Sequence, residues 1–191
     1  LPAYHQTKSQ IQQEQNEILA AQRDPKRFGP VYERYYDQIF LFIMKRTGEE
    51  MLAADLCSQV FLKAMLNLKK YRFKGFPFSA WLYRIAINEV NQYFRDNKAT
   101  RHISLESSGL MHMLEEVDDR EGEPDQAQIA HMLRTLQGLK PDDIQLIELR
   151  YFERLRFKEI AAILNITENN AKVRLSRILK RMKKKMEQPT G

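Results

Sequence analysis

Apolar residues recur along this chain at intervals of three and four, the period of helices that each bury one face. There is no sustained alternation of the half-buried strand kind, and glycine is sparse at 7 residues. Gln6 to Gln22 predicts a polar, weakly amphipathic helix anchored by Ile11, Ile18 and Leu19. Asp24-Pro25 opens a second helix through Tyr36, and a third from Gln38 to Arg46 carries Ile39, Phe42 and Ile43. After Thr47-Gly48, a longer helix from Glu49 to Lys70 offers Leu52, Leu56, Phe61, Met65 and Leu68 as buried candidates. Tyr71 to Pro77 reads as an aromatic and basic loop punctuated by Gly75 and Pro77, and Ser79 starts a helix to about Asp96.

The pattern then changes. Residues 100 to 125 are polar and acidic, with Ser107-Ser108-Gly109 and Glu121-Gly122-Glu123-Pro124, and resemble a linker. Within it Leu110, Met111, Met113 and Leu114 suggest a short segment that docks on something, His112 included. Periodicity resumes from about Gln126 to Glu187, and Lys140-Pro141-Asp142-Asp143 makes a strong helix start, with proline and acids in the first turn. Phe157, Ile160, Ala161 and Leu164 share one helix face, and Asn165 stands where a turn needs tolerance of left-handed backbone. Thr167 can cap the next helix, whose Ala171, Leu175, Ile178, Leu179 and Met182 form a buried stripe. Asn170, Arg174, Arg177, Arg181 and Lys184 form a second, mostly cationic stripe. A short helix packed under a helix with an exposed cationic face is the helix-turn-helix arrangement that reads a major groove.

The fold class is therefore all-α: two small helical domains joined by a flexible acidic linker, the C-terminal one a helix-turn-helix. The expected divisions are an N-terminal extension (1–24), a first domain (25–99), the linker (100–125) and a second domain (126–191).

Charge sharpens this picture. The formal net charge is +6, and its distribution says more than its total. Lys172, Arg174, Arg177, Lys180, Arg181, Lys183, Lys184 and Lys185 crowd the C-terminal helix with no acid among them. Glu106, Glu115, Glu116, Asp118, Asp119, Glu121, Glu123 and Asp125 face only Arg120 in the linker. Such segregation points to nucleic acid or a charged protein partner.

The single cysteine, Cys57, allows neither an internal disulfide nor a zinc site, and suits a small core residue in an intracellular chain. His5, His102, His112 and His131 show no ligand spacing, so no metal and no cofactor are expected. The linker acids lack a structured pair or a nucleophile partner, so catalysis is not expected. No apolar run is read as approaching a membrane span, and Gln6 to Gln22 is too polar for a signal peptide. The expectation is a cytoplasmic protein without membrane insertion, monomeric when free.

Two further constellations carry candidate chemistry. Arg84, Asn88, Asn91 and Arg95 follow at spacings of four, three and four and line one side of their helix, where amides and guanidinia reach phosphates and base edges. Trp81 falls among Phe78, Leu82 and Ile85, as a core residue would. Upstream, Tyr71-Arg72-Phe73-Lys74-Gly75-Phe76-Pro77-Phe78 interleaves aromatics with cations. That combination suits stacking on unpaired bases, and equally suits aromatics that close a small helical core.

At these residues a family resemblance emerges. Phe78-x-x-Trp81-Leu82-x-x-Ile85-Ala86-x-Asn88, with Tyr93 and Arg95 downstream, resembles the promoter-melting segment of the extracytoplasmic-function (ECF) group of bacterial sigma-70 family factors. Ala53 to Phe61 resembles the family's helix that docks on the clamp helices of core RNA polymerase, and Leu149 through Leu175 resembles its C-terminal domain. The resemblance implies that Asp55, Ser58 and Gln59 dock on polymerase. It implies that the loop of Arg72, Phe73, Lys74 and Phe76, with Arg84, Asn88, Asn91 and Arg95, captures an extruded base of the −10 element. It implies that Asn169, Asn170, Lys172, Val173, Arg174, Ser176, Arg177 and Arg181 read the −35 duplex. The partners implied are core RNA polymerase, promoter DNA and an anti-sigma factor, with the acidic linker threaded through the polymerase's RNA exit path.

The chain departs from the family pattern in places. Ser58-Gln59 stands where Gln-Glu is common, Gln92 replaces an acid, and Asp96-Asn97-Lys98 replaces an arginine-rich tail. Asn169-Asn170-Ala171-Lys172-Val173 replaces Gly-Thr-Val-Lys-Ser, which implies an altered −35 preference. Two other functions are compatible with parts of the chain: a stand-alone helix-turn-helix regulator, and a helical adaptor that binds only proteins.

Overall fold

Thr7 starts the first helix: its hydroxyl accepts the Gln10 N–H at 3.2 Å while its own N–H donates to Gln10 Oε1 at 2.7 Å. This reciprocal cap satisfies two of the donors that a helix N-terminus leaves open. The computed structural model describes residues 7–97, 107–117 and 124–187, and among these all regular structure is helical. The chain divides into two compact units.

The first unit holds α1 (Lys8–Arg23), α2 (Gly29–Thr47), α3 (Glu50–Asn67) and α4 (Phe78–Asn97). A 3-10 turn, Pro25–Phe28, leads from α1 into α2. The predicted break between Tyr36 and Gln38 does not occur. Val31, Tyr35, Ile39, Phe42 and Ile43 bury one continuous stripe, and Asp37 carries no helix-stopping signal. The stop comes at Gly48, which takes φ 68° and closes the last turn through its N–H to Met44 O at 2.9 Å.

Helix α3 packs on α2 and α4 and buries Ala53, Leu56, Cys57, Val60, Phe61 and Ala64. Met65, expected inside, is 41% exposed, because it lies on the outer side of α3 with Ser58 and Leu62. The stretch Glu50–Lys70 does reach the length and mean hydropathy (1.2) of a membrane span, contrary to the sequence reading. One side of it, Ala53, Leu56, Cys57, Val60, Phe61 and Ala64, is nonetheless covered as in the central helix of a helical core, while Met51, Leu62, Met65 and Leu66 on the other side are exposed. Lys63 Nζ, 2.6 Å from Glu89 Oε2, adds a polar tie between α3 and α4. The N-terminal helix, read as an extension, is built into this unit: Glu14, Ile18 and Ala21 are buried, while Leu19 points outward.

The second unit carries α5 (Ser107–Val117), α6 (Gln126–Gln137), α7 (Pro141–Ile147), most of α8 (Phe157–Leu164) and α9 (Glu168–Met186). Proline at the first turn of α7 and Asp142 and Asp143 beside it match the predicted start. A π-helical turn, Glu148–Phe152, follows α7. The apolar stripe of α9 (Ala171, Leu175, Ile178, Met182 and Met186) is buried against α5, α6 and α7, and Leu179 is only half-buried.

Helix α5 lies inside the range 100–125 read as linker. It is a three-turn helix, and the docking expected of this segment is onto α9 and the Glu148–Phe152 turn, through Leu110, Met113, Leu114 and Val117. Gly109 permits the approach, since a Cβ there would stand 2.5 Å from the Phe152 ring. The linker acids Glu106, Asp118, Asp119, Glu121 and Glu123 lie outside the described residues, as do His5, His102 and Lys98.

Candidate nucleic-acid interface

The turn between α8 and α9 has the predicted geometry. Asn165 takes φ 54°, ψ 45° at the end of α8, the left-handed conformation that a short polar side chain tolerates. Two residues on, Thr167 caps α9, its Oγ1 accepting the Asn170 N–H at 3.1 Å. Asn165 thus redirects the chain and Thr167 starts the second helix, so the orientation of α9 is set by its own N-terminal sequence.

The candidate readers on α9 then divide into two sets. Asn169, Asn170, Lys172, Val173, Ser176 and Arg177 are exposed, opposite the buried stripe or beside it. The Arg177 side chain makes no hydrogen bond or ion pair among the described residues. Lys172 Nζ is held 2.6 Å from Glu168 Oε1, one turn earlier. Arg181 and Arg174 turn toward α7 instead: Arg181 Nη2 is 2.5 Å from Asp143 Oδ2, and Arg174 Nη2 is 3.9 Å from Asp143 Oδ1. The cationic stripe read from the sequence is thus partly a scaffold contact.

On α4 the row survives intact. Arg84, Asn88, Asn91 and Arg95 are all exposed along one side, while Phe78, Leu82, Tyr83, Ala86, Ile87 and Val90 are buried on the other. Arg95 is engaged by Gln92, whose amide in turn donates to Asp96 at 2.7 and 2.8 Å, so two of the positions that depart from the family pattern form a local network with the last residue of the row. The preceding loop bends at Gly75, φ 78°. Arg72 and Lys74 are exposed, while Phe73 and Phe76 are half-buried. Arg72 folds back, its Nη1 donating to Lys69 O at 2.8 Å and Tyr71 O at 3.1 Å.

Trp81 packs between Tyr71 and Phe78, with ring centroids 5.1 and 5.2 Å away. It is a half-buried part of the core edge, as its spacing indicated. Burial, and then the nearby Glu14 charge, push the Tyr71 phenol up to about 12.

The third set lies on α3. Asp55, Ser58 and Gln59 share an exposed side with Met51, Leu62 and Leu66, which are 78%, 51% and 70% exposed. Large apolar side chains left open beside an acid and an amide suit a protein partner better than a nucleic acid. Cys57 points the other way: it is fully buried, and burial pushes its thiol up to about 12.

These three surfaces coincide with two family models. Residues 31–100 match sigma-70 region 2, and residues 130–182 match sigma-70 region 4. The RNA polymerase sigma factor YlaC of Bacillus subtilis is 30% identical over 158 residues, a match spanning 82% of this chain and 90% of YlaC. The chain is a member of the sigma-70 family, in its ECF subfamily. The ECF sigma factor SigM of Bacillus subtilis is 27% identical over 154 residues, covering 80% of this chain and 91% of SigM. The ECF sigma factor BldN of Streptomyces coelicolor is 28% identical over 150 residues, 76% of this chain but only 54% of BldN. In fold, this sigma factor resembles CnrH, solved in complex with the cytosolic domain of CnrY, with a TM-score of 0.56 at 18% identity, covering 88% of this chain and 94% of that one.

The region 2 match takes in the exposed side of α3, the Arg72–Phe76 loop and the α4 row, and the region 4 match takes in the helix-turn-helix. What sequence reasoning missed in this sigma factor is the part that α1, expected as a helix, plays through its polar side chains. Glu14 and Gln22 stand on one side of that helix with Ile18, and both bond to the segment between α3 and α4. A carboxylate and an amide at helical spacing from a buried isoleucine were the available signal; the surrounding glutamines masked it.

Proposed function

We propose that this sigma factor is the promoter-specificity subunit of a bacterial RNA polymerase, acting in the cytoplasm and performing no covalent chemistry of its own. Asp55, Ser58 and Gln59, flanked by Met51, Leu62 and Leu66, dock on the clamp helices of core polymerase. The Arg72–Phe76 loop holds an extruded base of the −10 non-template strand, and Arg84, Asn88, Asn91 and Arg95 follow that strand along α4. In the second unit Asn169, Asn170, Lys172, Val173, Ser176 and Arg177 read the −35 duplex, where an Asn bonds adenine and Val173 packs on a thymine methyl. Arg174 and Arg181 mainly position the reading helix through Asp143.

The observation that carries this reading is the exposed row of α4. Four polar or cationic side chains in series, fed by an aromatic and cationic loop, have no use in a regulator that binds duplex DNA alone. The stand-alone regulator and the protein-only adaptor each explain one unit and leave the other without a role. The fold likeness to CnrH, solved with a cytosolic domain of another protein, supports an anti-sigma partner for this chain, which is otherwise monomeric when free.

Mixing the chain with core polymerase tests the proposal. A one-to-one complex that holds promoter DNA, and that is lost on Asp55→Ala with Gln59→Ala, is expected. Tight duplex binding by the chain alone, with no affinity for polymerase, would contradict it.

A further inference from the structure

Helix α1 precedes the residues matched by the region 2 model, yet it grips both ends of the segment between α3 and α4. At the upstream end Gln22 Nε2 donates to Leu68 O at 2.8 Å and to Tyr71 O at 3.0 Å. At the downstream end Glu14 Oε2 accepts the Phe78 N–H at 2.7 Å, on the first residue of α4. The other Glu14 oxygen accepts the Tyr35 hydroxyl, and Arg34 Nη1 stands 3.8 Å from it. The Glu14 side chain is only 3% exposed.

A buried carboxylate is costly unless it is paired and hydrogen-bonded. Here it meets a helix N-terminus, a phenol and a guanidinium, so its charge is used to fix where α4 begins. Glu14 and Gln22 lie two helical turns apart on one side of α1, about 12 Å along its axis. Between the two grips, residues 71 to 77 contain no helix and bend at Gly75.

We propose that α1 is a brace for the strand-capture loop, with Gln22 and Glu14 as positioning residues that preset the loop before DNA arrives. This rests on the −10 reading given above. Neither residue touches DNA; each removes freedom that the loop would otherwise lose on binding the strand.

The chain contains one tryptophan. Because Trp81 packs on Tyr71 and Phe78, the residues at the two gripped ends, its emission reports the brace directly. The experiment compares full-length wild type with Gln22→Glu, which keeps the size but sets a carboxylate against two carbonyls, with Gln22→Ala, and with Glu14→Gln. Holoenzymes are assembled with bacterial core polymerase. The probes are the non-template −10 strand and the −35 duplex of a promoter taken from the wild-type holoenzyme's own start sites.

Gln22→Glu and Gln22→Ala should shift Trp81 emission and weaken strand capture by about tenfold. Their −35 affinity, polymerase binding and helical circular dichroism should match wild type. Gln22 is only half-buried, so these variants keep the test valid if Glu14→Gln unfolds the first unit. Wild-type strand affinity and unchanged emission in both Gln22 variants would overturn the brace. A wild-type holoenzyme that captures no −10 strand would instead overturn the strand-capture reading, and with it the role given to α1.

Discussion

Arg181 Nη2 sits 2.5 Å from Asp143 Oδ2, joining the middle of α9 to the first turn of α7. Arg174, seven residues earlier and so on the same side of α9, reaches the same carboxylate at 3.9 Å. The acid that marks the start of α7 thereby ties α7 to α9, the candidate reading helix. Arg181→Ala should lower the stability of the second unit by about 0.5–1 kcal/mol, the range for a pair whose arginine remains half exposed. Its effect on −35 affinity should be smaller than that of Arg177→Ala. Denaturant melts and duplex titrations on the same samples check both halves.

The two DNA surfaces should be separable by mutation. Arg177→Ala should cost about 1–3 kcal/mol of −35 affinity if it meets a base edge, and it should leave −10 strand capture by the holoenzyme unchanged. Asn88→Ala should do the reverse. Fluorescence anisotropy with each DNA in turn measures this, and equal damage to both activities by either variant would indicate misfolding instead.

Lys172→Ala should weaken −35 binding less than Arg177→Ala, because Glu168 already neutralises the ammonium at 2.6 Å. Glu168→Gln should release Lys172 and steepen the salt dependence of duplex binding, with about one more counterion displaced. Titrations at several salt concentrations read the slope; an unchanged slope would show that Lys172 does not reach phosphate.

Gly109→Ala tests the seating of α5. Its Cβ would stand 2.5 Å from one Phe152 ring carbon, 2.8 Å from another and 3.0 Å from the Tyr151 carbonyl oxygen. The carbonyl belongs to the backbone and cannot swing away, so α5 must shift. A loss of about 1–3 kcal/mol in the second unit's stability is expected, as for overpacked sites, read by chemical denaturation. Gly109→Ala with unaltered stability would mean that α5 is not seated on that turn.

The buried Cys57 and the half-buried Tyr71 contribute to an alkaline limb of stability, in the same direction as the Tyr151 phenol, which burial and its bond to Glu116 push up. The thiol of Cys57 rises from 9.0 to about 12 through burial, and the phenol of Tyr71 rises from 10.0 to about 12 through burial and the Glu14 charge. Both keep their protons in the folded chain where the unfolded chain releases them, so folding binds more protons in that window. Stability should therefore fall as pH rises from about 9 to about 12, with no contribution from either group below pH 8. Cys57→Ala should flatten that decline, whatever its effect at neutral pH. Denaturation midpoints across the range measure it.

Much of this was legible because helical periodicity and turn chemistry are local. The left-handed Asn165, the Thr167 cap, the Gly48 stop and the exposed α4 row follow from residues within a turn of one another. What the sequence concealed depends on contacts between distant segments. Nothing near Arg181 indicates that Asp143 will claim it, and nothing near Glu14 indicates that Phe78 will donate to it. Asp37 and its polar neighbour Gln38 interrupt the apolar pattern of α2, although the buried stripe passes beside them. Helix α5 sits in a stretch whose flanking acids and turn residues carry a linker signature, while its own Leu110, Met113, Leu114 and Val117 face one side.

The most direct measurement is transcription from a promoter library by core polymerase, with and without this sigma factor. Initiation at a shared two-part promoter only when the chain is present is the predicted result. Identical start sites with and without it would contradict the account.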